Sequence, residues 1–256
     1  MPAQHQPLIG ILGGMGPQAG LDLASKVASE TRAERDQHHI PLVIFSVGDS
    51  IPDRTEFLLG HSETNPSAAI AHQFKKMAEL GVSVAAMACN TAHAAAIFDS
   101  VKRKLAGAGV NPTILHLIDE TVAFILSRYP ELSKVGILGT RGTYQSELYD
   151  GPLRNAGLEP ILPDPEIRNG TIHEAIFDPV SGIKSRSNPV SREARNRVFE
   201  AVEHLRGKGA ELIVLGCTEL PLAITNSHID GVQLIDPTRI MARALIRATY
   251  PERLKP

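Results

Sequence analysis

Apolar residues along this chain fall into short continuous runs separated by amphipathic stretches. Pro7 to Leu12, Pro41 to Val47 and Val82 to Ala88 are each strand-length and apolar almost throughout. Between them, Ala19 to Thr31 and Pro66 to Leu80 carry apolar residues at helical spacing, as in Ile70, Phe74 and Met77. Gly81 then follows as a helix stop. Ala92 to Leu105 predicts a further helix, Asn111 to Ile118 a fourth strand and Glu120 to Arg128 another helix. Val190 to Gly207 reads as a charged helix, Glu211 to Leu215 and Gln233 to Pro237 as strands, and Arg239 to Tyr250 as a closing helix. Pro163 to Pro189 reads as irregular and rich in Gly, Pro and Ser; a long segment of that kind is often functional. Continuous apolar strands alternating with helices predict an α/β fold with parallel sheets covered on both faces.

The pattern repeats. Gly10-Ile11-Leu12-Gly13 recurs as Gly136-Ile137-Leu138-Gly139, an offset of 126. Gly81 matches Gly209, and Cys89 matches Cys217, both at an offset of 128. Landmarks at nearly one offset predict two similar lobes with a cleft between them. The expected division is 1–115 with 236–256 as the first lobe and 116–235 as the second.

Cys89 and Cys217 are the only cysteines among 256 residues. Each ends an apolar strand. In parallel α/β sheets ligands bind beyond the carboxyl ends of the strands, so both thiols are expected at one site. Each also precedes an expected helix N-terminus, where amides favour thiolate over thiol. Singly, a buried cysteine is commonly structural; the matched pair points to chemistry on both faces of one small molecule. Asn90-Thr91 and Thr218-Glu219 place hydrogen-bonding side chains beside the thiols, fit either to cap a helix or to hold a carboxylate. His93, four residues after Cys89, is a candidate to tune that thiol or a structural neighbour of it.

Composition adds limits. Hydrophobic residues make up 43% and charged residues 21%, and the formal net charge is −2. With no run of like charge, nothing points to nucleic acid or a membrane surface. The apolar runs are far shorter than the roughly 20 residues of a spanning helix. The N-terminus has no basic region or apolar signal core, so secretion is not expected, and reduced thiols suit the cytoplasm. Gly13-Gly14-Met15-Gly16-Pro17 departs from the dinucleotide fingerprint, and there is no P-loop, serine-hydrolase elbow or metal-ligand spacing. These glycines suit either close backbone approach to a small ligand, near Met15, or a plain tight turn. Thr140 and Thr143 occupy the equivalent turn of the second lobe and are placed to cup an anion. Arg54 can grip a carboxylate in bidentate fashion, and Lys184 is a possible second cation.

Gly10 to Pro17, Ile51-Pro52-Asp53-Arg54-Thr55, Cys89-Asn90-Thr91-Ala92-His93 and Gly216-Cys217-Thr218-Glu219 together resemble the cofactor-independent aspartate/glutamate racemase family, most of all its aspartate racemase branch. The resemblance spans nearly the whole chain. It implies an isomerase that works without pyridoxal phosphate or metal. Cys89 and Cys217 would act as opposite-face proton acceptor and donor. Arg54 would bind the substrate's side-chain carboxylate, and Met15, Asn90, Thr91, Thr140, Thr143, Thr218 and Glu219 would surround the substrate. It further implies a cytoplasmic homodimer acting on an acidic amino acid. The family lysine of the loop near Ser181 is replaced here by Ser, and Lys184, three residues later, would serve instead. A hydantoin racemase, a maleate-isomerase-like enzyme and a non-catalytic dicarboxylate binder remain open alternatives.

Overall fold

A computed structural model describes residues 7–110 and 112–256. The first six residues and Asn111 lie outside them, and with them the N-terminal leader reading and the start of the expected fourth strand. The first half runs β1 (Leu8–Gly13), α1 (Pro17–Glu30), β2 (Leu42–Ser46), α2 (Arg54–Leu58), α3 (Ser67–Glu79), β3 (Val82–Met87), α4 (Ala95–Ala106), β4 (Thr113–Ile114) and α5 (Leu117–Arg128). The second runs β5 (Lys134–Gly139), α6 (Arg141–Gln145), α7 (Asp150–Asn155), β6 (Glu159–Ile161), α8 (His173–Phe177), α9 (Arg192–Gly207), β7 (Leu212–Gly216), α10 (Leu220–Ala223), β8 (His228–Ile229), β9 (Val232–Ile235) and α11 (Pro237–Thr249).

Two sheets form. The first has the order β2-β1-β3-β4, and the second β6-β5-β7-β9-β8. All pairings are parallel except β8 with β9. Apart from the antiparallel edge strand β8, the two orders are equivalent. The repeat extends to register: Ile11 pairs with Ala86 and Ile137 with Val214, so each GILG strand meets its cysteine strand identically. Gly81 and Gly209 both take positive φ, at 88° and 86°, as the chain leaves a helix for a cysteine strand. A side chain there would be strained, which is why glycine recurs at both positions.

Buried residues explain why the strands read as continuous apolar runs. Ile9, Ile11, Ala86, Val135, Ile137 and Val214 contribute to one core shared between the lobes, together with residues of α5 and α11. The opposite face of each sheet has its own core, around Phe74 and Met87 in the first lobe and around Val198 and Ile213 in the second. α11 lies against both α1 and α5.

Four sequence expectations need correction. The fourth strand is only Thr113–Ile114, because Leu117 and Ile118 open α5. His116 caps that helix by accepting from the Asp119 amide, so it starts three residues before the expected Glu120. Pro163 to Pro189 is not irregular throughout. It contains a π-helical turn, Ile167–Ile172, leading straight into α8, and both pack on α9. The helix expected from Ala92 is a short 3₁₀ turn, Thr91–His93, followed by α4 from Ala95. No helix among the described residues is long and apolar enough to cross a membrane.

Candidate active site

The carboxyl ends of β1, β3, β5 and β7 converge on one narrow cleft. Cys89 follows β3 and Cys217 follows β7, and both thiols are free and buried in the walls of this one cleft. Met15, Arg54, Asn90 and Thr91 line it from the first lobe. Thr140, Thr143, Lys184, Thr218 and Glu219 line it from the second. Every residue singled out as catalytic or substrate-contacting in the sequence therefore faces one space.

Arg54 is held by its local fold. Asp53 caps α2, its Oδ1 accepting from the Thr55 and Glu56 amides at 2.7 and 3.0 Å. Arg54 is thereby the first residue of the helix. Its Nη1 donates to the Pro52 carbonyl at 3.2 Å and its Nη2 to the Met15 carbonyl at 3.0 Å. Nε is buried without a partner. Burial disfavours the guanidinium charge, but Cys89, Asp53 and Glu219 together raise its pKa above the ordinary value.

Lys184 reaches the cleft because the chain after α8 folds back on itself. The Ile183 and Lys184 amides donate to the carbonyls of Ala175 and Ile176 at 2.9 and 3.0 Å, and the Ile183 side chain is fully buried in the second-lobe core. Ser181 is not in the cleft lining; its hydroxyl donates to Asp178 Oδ1 at 3.1 Å. Lys184 Nζ donates to Glu219 Oε1 at 2.7 Å. Burial lowers the lysine pKa, but Glu219 and Cys217 outweigh it and hold the group charged.

Glu219 has two partners besides the lysine. Cys217 Sγ donates to its Oε2 at 3.0 Å, and Thr218 Oγ1 donates to the same oxygen at 3.3 Å. Burial opposes ionisation of the carboxyl, yet Lys184 and the Cys217 hydrogen bond bring its pKa below the usual carboxylate value. The Cys217 thiol is pushed well above its ordinary value, first by burial and then by the Glu219 charge. This reverses the sequence expectation of a helix N-terminus favouring thiolate. α10 has only four residues, too short to present a full macrodipole, and the carboxylate stands closer.

Around Cys89, Sγ lies 3.4 Å from Thr91 Oγ1. His93 does not bond the thiol. Its Nδ1 donates to the Cys89 backbone carbonyl at 2.8 Å, and its ring stacks on Phe98 and meets His116 edge-on. Burial and His116 push its pKa down to about 3. His93 is thus a neutral brace of the Cys89 turn. Thr140 and Thr143 line the cleft, but their hydroxyls close a capping box at the start of α6, with Oγ1 atoms 3.1 Å apart. The cleft is also lined by Asp53, Thr55 and Phe177, which the sequence reading did not count among the residues around the substrate. Asp53 and Thr55 flank Arg54 in the quoted Ile51–Thr55 motif, which was signal enough to find them; Phe177, inside a stretch read as irregular, gave none. Among the described residues, no three His, Cys, Asp or Glu side chains are grouped to hold a metal ion.

Comparison with known proteins agrees with this geometry. Residues 12–245 match the family described as Asp/Glu/Hydantoin racemase. The chain belongs to that family. It is an isomerase of the racemase type, and racemases of this family work without pyridoxal phosphate. The broad specificity amino-acid racemase RacX of Bacillus subtilis (strain 168) is 26% identical over 248 residues, 95% of this chain and 98% of its own. The aspartate racemase of Picrophilus torridus superposes with a TM-score of 0.80 at 29% identity, covering 97% of this chain and 96% of that one. An aspartate racemase homologue from Pyrococcus horikoshii OT3 gives a TM-score of 0.71 at 26% identity, over 95% of this chain and 99% of that one.

Proposed function

We propose that this racemase acts on aspartate by a two-base mechanism, with Cys89 and Cys217 on opposite faces of the α-carbon. The observation that carries the reading is the cleft itself. One free thiol from each lobe, at equivalent strand ends, shares it with a guanidinium and an ammonium group. Two cations at one cleft favour a substrate that carries two carboxylates.

Removing the α-proton of an amino acid is difficult because the carbanion is poorly stabilised, so donors must be set in advance around the α-carboxylate. The side chains of Asn90 and Thr218 border the cleft beside the two thiols and would serve there. Arg54 and Lys184 would hold the side-chain carboxylate, Lys184 exchanging part of its bond to Glu219 for the substrate. Cys217, held protonated by burial and by Glu219, would enter as the acid, leaving Cys89 as the base. In one turnover Cys89 takes the α-proton and becomes a thiol, while Cys217 delivers its proton to the opposite face and becomes a thiolate. The reverse reaction begins from that state, so one enzyme serves both enantiomers. Exclusion of water calls for the lobes to close on the substrate. A cytoplasmic homodimer is part of the same reading and rests on the family resemblance.

Chiral chromatography of purified enzyme with each aspartate enantiomer, without added cofactor, tests this. Racemisation of both is expected. Cys89→Ala and Cys217→Ala should each lower the rate on the order of a thousandfold or more, the scale of losing a positioned acid or base. A single variant racemising at the parent rate would sink the two-base reading. Turnover of neutral amino acids but not aspartate would overturn the substrate.

A further inference from the structure

Asn90 and Tyr149 meet across the two lobes. Asn90 follows Cys89, while Tyr149 sits in the second lobe immediately before α7. The tyrosine is fully buried, and its hydroxyl lies 2.6 Å from Asn90 Oδ1. Its ring packs against Gly216, the residue before Cys217: a Cβ added there would stand 3.1 Å from the Tyr149 Cε2 atom. One side chain thus touches the neighbours of both cysteines, through a hydrogen bond on one side and ring packing on the other.

The hydrogen bond constrains the amide. Burial pushes the Tyr149 phenol far above its ordinary pKa, so it stays an O–H donor. A donor at that point is satisfied by the amide oxygen, which turns the NH₂ group the other way. Asn90 is 3% exposed and lines the cleft, and its Nδ2 has no partner. A buried donor left unpaired is costly; here it is a donor held ready for an acceptor in the cleft.

We propose that Tyr149 is a positioning residue: its hydroxyl fixes the Asn90 side chain with the amide NH₂ presented to the substrate carboxylate. Because the bond spans the lobes, Asn90 is set only while they are together, so carboxylate recognition by the first lobe depends on the second. The substrate's identity rests on the proposed function above; the hydrogen bond and its effect on a carboxylate ligand do not.

The test is a double-mutant cycle of Tyr149→Phe and Asn90→Ala. It is read as kcat/KM for aspartate racemisation and as succinate affinity by calorimetry. Tyr149→Phe retains the ring on Gly216 and should leave the melting temperature within a few degrees of the parent, the shift expected for one hydrogen bond. It should lower both kcat/KM and succinate affinity about tenfold, the equivalent of one such bond. Asn90→Ala should lower both at least as much, and the double variant should match Asn90→Ala within about twofold, because the hydroxyl acts only through the amide. Tyr149→Phe indistinguishable from the parent in both readouts, or losses that multiply in the double variant, would overturn the assignment. A parent that fails to racemise, with succinate binding still weakened by Tyr149→Phe, would remove the proposed function and leave the Tyr149 assignment standing.

Discussion

At the scale of single residues, the environment of Cys217 decides how the site is poised. A thiol ending a strand before a helix was expected to ionise easily. Instead the helix is one turn long, and a carboxylate accepts from the thiol at 3.0 Å. Glu219→Gln tests this directly. Removing a negative charge beside the thiol, with Lys184 still present, makes the thiolate easier to form. The basic limb of the pH–rate profile should therefore move to lower pH, and an unmoved limb would contradict the assignment of Cys217 as the starting acid. Stability has its own sign. The Glu219 pKa is lowered in the folded protein, so its contribution is present above the unfolded carboxyl value of about 4.3 and is lost as pH falls through the folded value. Denaturant unfolding of parent and Glu219→Gln should differ most at neutral pH and converge in acid. His93 behaves differently. With its pKa near 3, it carries no charge across the working range. His93→Asn should lower stability by about 1–3 kcal/mol, as expected for a lost buried bond to the Cys89 carbonyl. The pH limbs should stay in place; a displaced limb would give His93 the tuning role that its position in the sequence suggested.

At the scale of elements, the strands and their glycines were the most legible features. Gly81 and Gly209 stop one helix in each lobe with the same positive φ, and the matched offset in the sequence reflected that shared geometry. The short elements were not legible. α2 and α6 each have five residues, held by caps and tertiary packing rather than by periodicity. The π-helical turn before α8 carries Asn169-Gly170-Thr171, poor helix formers, and is stabilised by packing on α9. The turn after β1 shows what a glycine contributes. Gly14 has φ 84°, and a Cβ there would lie 2.6 Å from the amide nitrogens of both Val47 and Gly48. Gly14→Ala therefore combines left-handed strain with a backbone clash. It should cost about 2–4 kcal/mol in chemical denaturation, the sum of those effects; a loss below about 0.5 kcal/mol, the range of neutral surface changes, would contradict the described turn.

At the scale of the whole molecule, internal symmetry connects sequence to chemistry. Two sheets of equivalent order, with their GILG and cysteine strands in the same register, set two thiols against one cleft. That much could be read from three repeated landmarks. The contact between Tyr149 and Asn90 could not. The two residues are 59 positions apart and meet only when the lobes are packed together, so neither spacing nor composition encodes their pairing. Lys184 was named as a second cation, but the way it reaches the cleft was unreadable, because that depends on the chain folding back over α8 and on Ile183 as a buried anchor. The central claim, two thiols acting on opposite faces of one carbon, is tested most directly by the early course of L-aspartate racemisation in deuterated water. The account predicts that the D-aspartate formed carries deuterium at the α-carbon from the outset, while unreacted L-aspartate keeps its proton, because the accepting thiol and the donating thiol are different groups. Deuterium entering residual L-aspartate as fast as product, or product that retains the original α-proton, would contradict it.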